Sequence, residues 1–414
     1  MTDPASLFND AVEHMRAGRL AEARPCLEQA AAGGHADALA LLGVNELYGH
    51  GGDVDLPRAR DMFEQAEAKG SAVASYQLAL LGWCGRVAPR DPAEMGARLV
   101  RAAEQDYPAA LRALAMAYVR RGAREPEYAL LTERCLMRAA ALLDRTSCYL
   151  LALLCSAHRD PVKRAAAPRI MAMAAELGVA RARARVAPGT ASVRVDAQPM
   201  ANLPLPVLEP FTPLPTQVHH ERPLLETIDG FLAPIECEYL IAWSEPFQHA
   251  SVVVSDDGKM VPHPDRTSTD ANLVGVSEDF TARMLQARMT DQLGVPLTRA
   301  EHLTVLHYGP GAEYRPHVDF LPQGAQGNRP LPNYPGQRVD TIFAYLDEVE
   351  AGGETEFPRI GRRVRPARGR IVHFRNCRDD MTPDPLTVHA GLPVLAGSKW
   401  LATIWTRERD YRRY

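Results

Sequence analysis

The sequence predicts a multidomain chain: an α-helical repeat solenoid first, then an α+β unit whose strands form a barrel or sandwich backed by helices. Three observations predict it. Small and apolar residues recur at a step of 36 residues through the first part, as in Leu42, Leu78 and Leu114. A proline-dense stretch without helical periodicity interrupts the chain near Val186. Beyond it come two helical segments and then a run of short β-branched and aromatic segments separated by Gly and Pro. With 414 residues the chain is also too long for one ordinary core.

The repeat is read from several positions at once. Ala30, Ala66 and Ala102 keep the 36-residue step, as do Ala38, Ala74 and Ala110. Gly34 and Gly70 mark a turn where the third copy has Asp106. Asp55 and Asp91 open the segment before the second helix of their units. Each unit therefore reads as helix, turn, helix: alanines let the helices approach and leucines fill the seam. One such pair cannot bury its apolar face alone, so pairs stack. The pattern is clear from about Ala11 to Arg121 and fades towards Arg185.

The stretch from Val186 to Pro223 carries eight prolines and reads as an extended, partly polyproline linker. Val207, Leu208 and Phe211 within it are apolar, so it is expected to lie along a surface rather than swing free. The expected divisions are a repeat domain at 1–185, a linker at 186–222 and a second domain at 223–414. In the last, "APIECEYLIAWSE" is a helix with Pro234 in its first turn. "SEDFTARMLQARMTDQLG" is another, with Ser277 as its cap and Gly294 at its end. The strands are "LTVLHY", "DTIFAYLDEV", "GRIVHF", "LTVHAGLPV" and "KWLATIWTR".

Bulk charge excludes some functions. A formal net charge of -4 argues against general nucleic-acid binding, which needs a basic face. The basic runs Arg181 to Arg185 and Arg362 to Arg370 read as a solvated helix end and a solvated hairpin, the second also a possible dock for an acidic partner. Seven cysteines, an odd count without a CxxC, suggest neither a disulfide framework nor a zinc knuckle. The N-terminal residues lack the basic start and apolar stretch of a secretory leader. The most apolar run, Cys148 to Ala157, is too short to span a bilayer. A cytoplasmic location without membrane attachment is expected.

Chemistry enters with "YRPHVDF". In a strand, His317 and Asp319 point to one face, so an imidazole and a carboxylate can share a target. The spacing alone is weak, because His35/Asp37 and His263/Asp265 repeat it in a helix and a loop. Support comes from elsewhere. "HYGPGAEYRPH" is a strand, a turn and a second extended piece, and a later strand offers His389. Lys399, Leu401, Thr403 and Trp405 share one face, and a lysine on an apolar row needs an anionic partner. Thr355 follows a glycine turn towards the same centre. Two histidines and one carboxylate form the facial triad of non-haem Fe(II) oxygenases, which leaves positions for a bidentate 2-oxo acid and O₂. His307 and His373 read as ordinary strand histidines, and His219, His220 and His263 as linker or loop residues.

Two resemblances follow. "ADALALLGVNELYGHGGDVDLPRARDMFEQAEAKG" and its successor resemble Sel-one-like, tetratricopeptide-related repeats. These imply a surface for binding proteins, or a stabilising or dimerising helical domain. "RTSTDANL", "HYGPGAEYRPHVD", "RVDTIFAYLDEVEAGGETEFP" and "VHAGLPVLAGSKWLATIWTR" come in the order of the prolyl 4-hydroxylase branch of the 2-oxoglutarate/Fe(II) oxygenases, which the segment from about Leu224 to Arg407 resembles.

That resemblance implies a double-stranded β-helix of the jelly-roll or cupin-like kind. It implies His317, Asp319 and His389 as iron ligands. It implies Lys399, Tyr308, Thr355 and Trp405 around 2-oxoglutarate, and Arg338 and Arg407 on the substrate side. Residues 321–337, rich in Pro and Gly, would cover the substrate. The implied activity is hydroxylation of a prolyl residue in a protein or peptide, with succinate and CO₂ as coproducts. Ascorbate is a further implied cofactor, and the repeats would dock the substrate. An oxygenase for a free amino acid or other small molecule, or an adaptor with a silent oxygenase domain, stay open as alternatives.

Overall fold

The computed structural model describes residues 3–50, 52–85, 90–208, 211–254, 260–261, 265–321 and 336–412. His263 and residues 322–335, which include most of the expected cover over the substrate, lie outside the described residues.

From Pro4 to Arg183 the described chain is helical hairpins. First helices begin at Ala36, Ala72 and Pro108, keeping the 36-residue step, and a fourth, Arg145–Ser156, follows. Second helices are Leu56–Ala68, Pro92–Glu104, Pro126–Ala141 and Pro161–Glu176. Asp55 and Asp91 cap theirs: Asp55 accepts from Arg58 N–H at 3.0 Å, and Asp91 from Ala93 N–H at 3.0 Å. Proline occupies the first turn of several of these helices, where its missing N–H costs nothing. The turn position is left-handed in all three copies, with φ of 94° at Gly34, 86° at Gly70 and 61° at Asp106. A non-glycine residue there carries a backbone cost. Arg138 pairs with the Asp106 carboxylate and holds that turn in place.

The stretch expected to be a linker runs along the helices. Leu203 N–H donates to Glu104 Oε1 at 3.0 Å, Phe211 N–H to Asp291 Oδ2 at 2.9 Å and Leu214 N–H to Gln292 Oε1 at 2.8 Å. Leu208 is buried and the Phe211 ring meets Phe231 at 5.1 Å, whereas Val207 stays exposed. Strand Gln217–Glu221 already lies inside the 186–222 stretch and pairs with Leu224–Ile228.

The rest is rich in antiparallel sheet. One sheet has eight strands, in the order Gln217–Glu221, Leu224–Ile228, Ile371–Arg375, Arg338–Tyr345, Lys399–Arg407, Thr304–Tyr308, Thr269–Asn272 and His249–Ala250. A second has four, in the order Arg362–Val364, Thr355–Phe357, His389–Gly391 and Tyr314–His317. Strand alternation sorts two cores. Leu306, Tyr308, Phe343, Tyr345, Phe374 and Leu401 meet Phe357 and Val364 of the small sheet. Their neighbours Val305, Ile342, Ala344, Trp400, Ala402 and Ile404 face the other way, into a core shared with helices.

That second core includes helices Pro234–Ser244 and Phe280–Gln292 and continues without a break into the repeats. The cap of Phe280–Gln292 is Asp279, not Ser277. Asp279 accepts from Ala282 N–H at 2.9 Å, while Ser277 sits one turn earlier in a short 3₁₀ helix. A carboxylate wins that place because Arg112 of a repeat helix also binds it, at 3.0 Å.

Further bonds cross the same junction. Phe280 N–H donates to Tyr76 Oη at 2.9 Å, Arg283 Nη1 to Leu80 O at 3.1 Å and Tyr149 Oη to Glu238 Oε2 at 2.6 Å. The basic run at 181–185 belongs here, not to a solvated helix end. Arg181 pairs with Glu238 and Asp347, and Arg185 with Glu238, because two carboxylates of the sheet-bearing part face that helix. The second basic run is absorbed locally, with Arg363 on Glu356, Arg368 on Asp347 and Arg370 on Asp229. Among the described residues no helix is long and apolar enough to cross a membrane.

Candidate metal centre

His317 ends one strand of the small sheet and His389 begins its neighbour, and the two are paired directly across the ladder. Their rings lie 4.3 Å apart, centroid to centroid. Each ring spends Nδ1 on a backbone carbonyl two residues earlier: His317 on Arg315 O at 2.8 Å, His389 on Thr387 O at 3.0 Å. A carbonyl only accepts, so Nδ1 carries the proton and Nε2 keeps its lone pair. Both Nε2 atoms face one carboxylate. His317 Nε2 is 3.9 Å from Asp319 Oδ1, and His389 Nε2 is 3.7 Å from Asp319 Oδ2.

One ligand atom from each of the three side chains lies within 4.8 Å of the others. Burial, then the neighbouring His389, pushes the His317 imidazole down to about 3 against the pull of Asp319. Burial would raise the Asp319 carboxyl, but His389, His317 and Arg338 outweigh it and hold it at about 2. Two neutral imidazole nitrogens and an ionised carboxylate, with both tautomers fixed from behind, form a donor set that fits a divalent cation such as Fe(II).

Tyr314 stacks flat on His317, with centroids 3.5 Å apart and planes 15° apart. Arg266 lies over the other ring of that pair, 5.1 Å from the Tyr314 centroid.

One pleat along the His389 strand is Gly391. A Cβ there would stand 3.4 Å from Lys399 Nζ, so the glycine keeps space open in front of the amine. Lys399 is 1% exposed and makes no hydrogen bond among the described residues. Its Nζ lies 5.2 Å from the Tyr308 ring and 5.8 Å from that of Tyr345. Burial pushes the amine down to about 7, with Glu354 opposing weakly. Tyr308 sits opposite Lys399 in the ladder, and Thr355 sits opposite Gly391 with its hydroxyl 2.7 Å from Tyr345 Oη. A buried amine with no ion pair among the described residues, set between aromatic rings, suits an anionic ligand.

Three of the four residues expected around that ligand are thus gathered. Trp405 is not beside them. It lies six residues further along the strand from Lys399, about 20 Å at strand rise, opposite Thr341. Its ring carries the Arg338 guanidinium at 4.0 Å.

Arg338 and Arg407 come together through a residue that sequence reasoning missed. Glu301 Oε1 is 2.7 Å from Arg338 Nε and 2.7 Å from Arg407 Nε. Two arginines paired across adjacent strands needed a counter-ion, and that need was the sequence clue to an acid nearby. Thr341 and Asn376, behind Asp319, were also missed, since neither residue type stands out in a strand.

The family model of the 2OG-Fe(II) oxygenase superfamily matches residues 303–407. Prolyl 4-hydroxylase 1 of Arabidopsis thaliana is 34% identical over 202 residues, covering 45% of this chain and 70% of its own length. Prolyl 4-hydroxylase 5 of the same plant is 32% identical, covering 44% of this chain and 68% of its own. Among solved structures, the viral collagen prolyl hydroxylase of Paramecium Bursaria Chlorella virus-1 is 27% identical over 44% of this chain and 94% of its own, with a TM-score of 0.34. The Sel1 repeat protein from Oxalobacter formigenes is 22% identical over 43% of this chain and 73% of its own, with a TM-score of 0.36.

Proposed function

Since the chain belongs to the prolyl 4-hydroxylase family and is a 2-oxoglutarate-dependent dioxygenase, we propose that it hydroxylates a prolyl residue in a protein or peptide. The observation that carries the reading is the convergence of His317, Asp319 and His389, with Lys399, which makes no ion pair among the described residues, facing Gly391 one pleat along from His389. His317, Asp319 and His389 would hold Fe(II). Lys399 would take the far carboxylate of 2-oxoglutarate, with Tyr308 and Thr355 offering hydroxyls and Gly391 leaving room. The bound Fe(II) and 2-oxoglutarate together supply the oxidation of a substrate C–H bond by O₂, with succinate and CO₂ as coproducts. Ascorbate would serve only to keep the iron reduced.

The chain's own work is positioning. Carbonyls at Arg315 and Thr387 hold both imidazoles in the tautomer that presents Nε2. Tyr314 fixes the plane of His317 by stacking. The two facing sheets, which we read as a double-stranded β-helix, keep the site largely out of water. On the substrate side Arg338 lies flat on Trp405, two of its nitrogens held by Glu301 and the third turned to the Asp319 backbone at 3.5 Å. That edge and Arg407 would meet the peptide. Part of the repeat surface is occupied by the chain's own sheet-bearing half, so docking of a substrate by the repeats would use the surface that remains.

The test is to incubate the Fe(II)-loaded protein and 2-oxoglutarate with a cell extract and to search by mass spectrometry for prolyl peptides that gain one oxygen. Oxygenated prolyl peptides are expected, absent with His317→Ala. Oxygenation confined to free amino acids, or none beside normal metal binding, overturns the reading.

A further inference from the structure

Behind the carboxylate of Asp319 lies a short chain of hydrogen bonds with a direction. Thr341 Oγ1 donates to Asp319 Oδ2 at 2.8 Å, and Asn376 Nδ2 donates to Thr341 Oγ1 at 2.9 Å. Asn376 is 0% exposed, Thr341 2% and Asp319 8%. No water is needed to complete the chain.

Its polarity follows from counting protons. A threonine hydroxyl has one proton to give and lone pairs to receive. The Asn376 amide N–H can only give, so it occupies a lone pair of the hydroxyl and leaves the proton for Asp319. The opposite amide orientation would draw the hydroxyl proton towards Asn376 and leave an ionised carboxylate facing a lone pair. A charge-assisted bond to the carboxylate is the stronger use of that proton.

The scaffold holds both residues firmly. Thr341 is in the middle of the central strand, opposite Phe374 on one side and Trp405 on the other. Asn376 follows the neighbouring strand. Its N–H donates to Val339 O at 2.7 Å, and its carbonyl accepts from Asp384 N–H at 2.9 Å. Its side-chain oxygen has no partner among the described residues. A buried amide with one end unsatisfied is costly, which argues that its donor end is worth keeping.

We infer that Thr341 and Asn376 are positioning residues that orient the Asp319 carboxylate for the metal. The inference rests on the reading of His317, Asp319 and His389 as metal ligands. Thr341 fixes the rotation of the carboxylate about its last bond, and Asn376 fixes the rotation of the hydroxyl. The histidines already have carbonyls behind them; this pair gives the third ligand the same support.

Mn(II), which needs no oxygen or substrate, tests the inference by isothermal titration of the native chain and three variants. Thr341→Val keeps the shape and removes the hydroxyl; its Kd should rise by roughly 10- to 100-fold, with the metal-free melting temperature nearly unchanged. Thr341→Ser keeps the hydroxyl and should stay near the native affinity. Asn376→Ala leaves Thr341 in place but frees its rotor, so its Kd should rise by less than in Thr341→Val. If Thr341→Val does not fold, Asn376→Ala against the native chain decides.

Native-like affinity in the hydroxyl-free or amide-free variant overturns the positioning role, and so does Thr341→Ser binding as weakly as Thr341→Val. Failure of the native chain itself to bind Mn(II) is a different result: it removes the metal site, and the positioning role with it.

Discussion

Arg112, on a repeat helix, grips the Asp279 carboxylate 167 residues further along the chain, and both side chains are almost wholly buried. The guanidinium also pairs with Asp144 and lies 4.5 Å over the Trp243 ring. Asp279 caps the helix against which the sheet is laid. The repeats are therefore a wall of the sheet-bearing half.

Arg112→Ala should destabilise the chain by about 3–5 kcal/mol, since it strands buried carboxylates without a partner. Urea unfolding followed by circular dichroism measures this. A chain starting near residue 217 would uncover Phe280, whose ring now packs on Tyr76 and Trp83, and leave the Asp279 carboxylate without Arg112, and should not fold alone. A well-dispersed NMR spectrum from that fragment would contradict the shared core.

Lys399 predicts a pH-linked cosubstrate. Without a ligand its amine lies at about 7, because burial disfavours the charge. A bound carboxylate restores it, so 2-oxoglutarate binding should take up a proton above pH 7 and weaken as pH rises further. Calorimetry in buffers of different ionisation enthalpy counts the proton. For the ligand-free fold the sign runs the other way: the cost of burying the charge is full below about pH 7 and relieved towards the free value of 10.5. Lys399→Met should thus stabilise the ligand-free protein near neutrality, by about 1–4 kcal/mol, while abolishing 2-oxoglutarate binding.

His373 turns out to be more than an ordinary strand histidine. Its Nδ1 meets Glu226 at 2.8 Å and its Nε2 meets Asp340 at 3.2 Å. Burial opposes the charge, but Asp340 and Glu226 outweigh it and raise the imidazole to about 9. A raised pKa gives stability that is complete below the free value of 6.5 and lost as pH rises through about 9. The size is about 3 kcal/mol. The two carboxylates are held down, so their share is lost instead as pH falls below the ordinary carboxylate range. Melting temperature should therefore peak between about pH 5 and 6.5 for this cluster, and His373→Gln should flatten the alkaline limb.

Glu301 should separate substrate handling from cosubstrate turnover. Glu301→Gln keeps the shape and removes the charge between Arg338 and Arg407. The expected result is a higher KM for a prolyl peptide substrate, with little change in peptide-independent succinate release. An equal fall in both would mean that the residue supports the fold rather than the substrate side.

Much of this was legible along the chain because it is local. The repeat step survives as the 36-residue spacing of helix starts, since stacked hairpins repeat their contacts. His317 and Asp319 lie two apart, but the strand ends at His317 and Asp319 follows in a bend, so the turn of the chain and not strand alternation brings the carboxylate to the imidazole. Lys399 announced itself as a charge on an apolar row. Trp405 shows the limit of that reasoning: equal parity with Lys399 put it on the same face but far along it, beside Arg338.

By itself, then, the sequence determined the two textures of the chain and offered the residues of the candidate site. Only the tertiary structure decided which distant groups meet: Arg112 with Asp279, Arg181 with Glu238, Glu301 with Arg338 and Arg407, Asn376 with Thr341. The reason is physical. Periodicity and parity are properties of neighbouring residues, whereas the partner of a buried charge or hydroxyl is set by how whole sheets and helices pack, and many pairings satisfy the same local pattern.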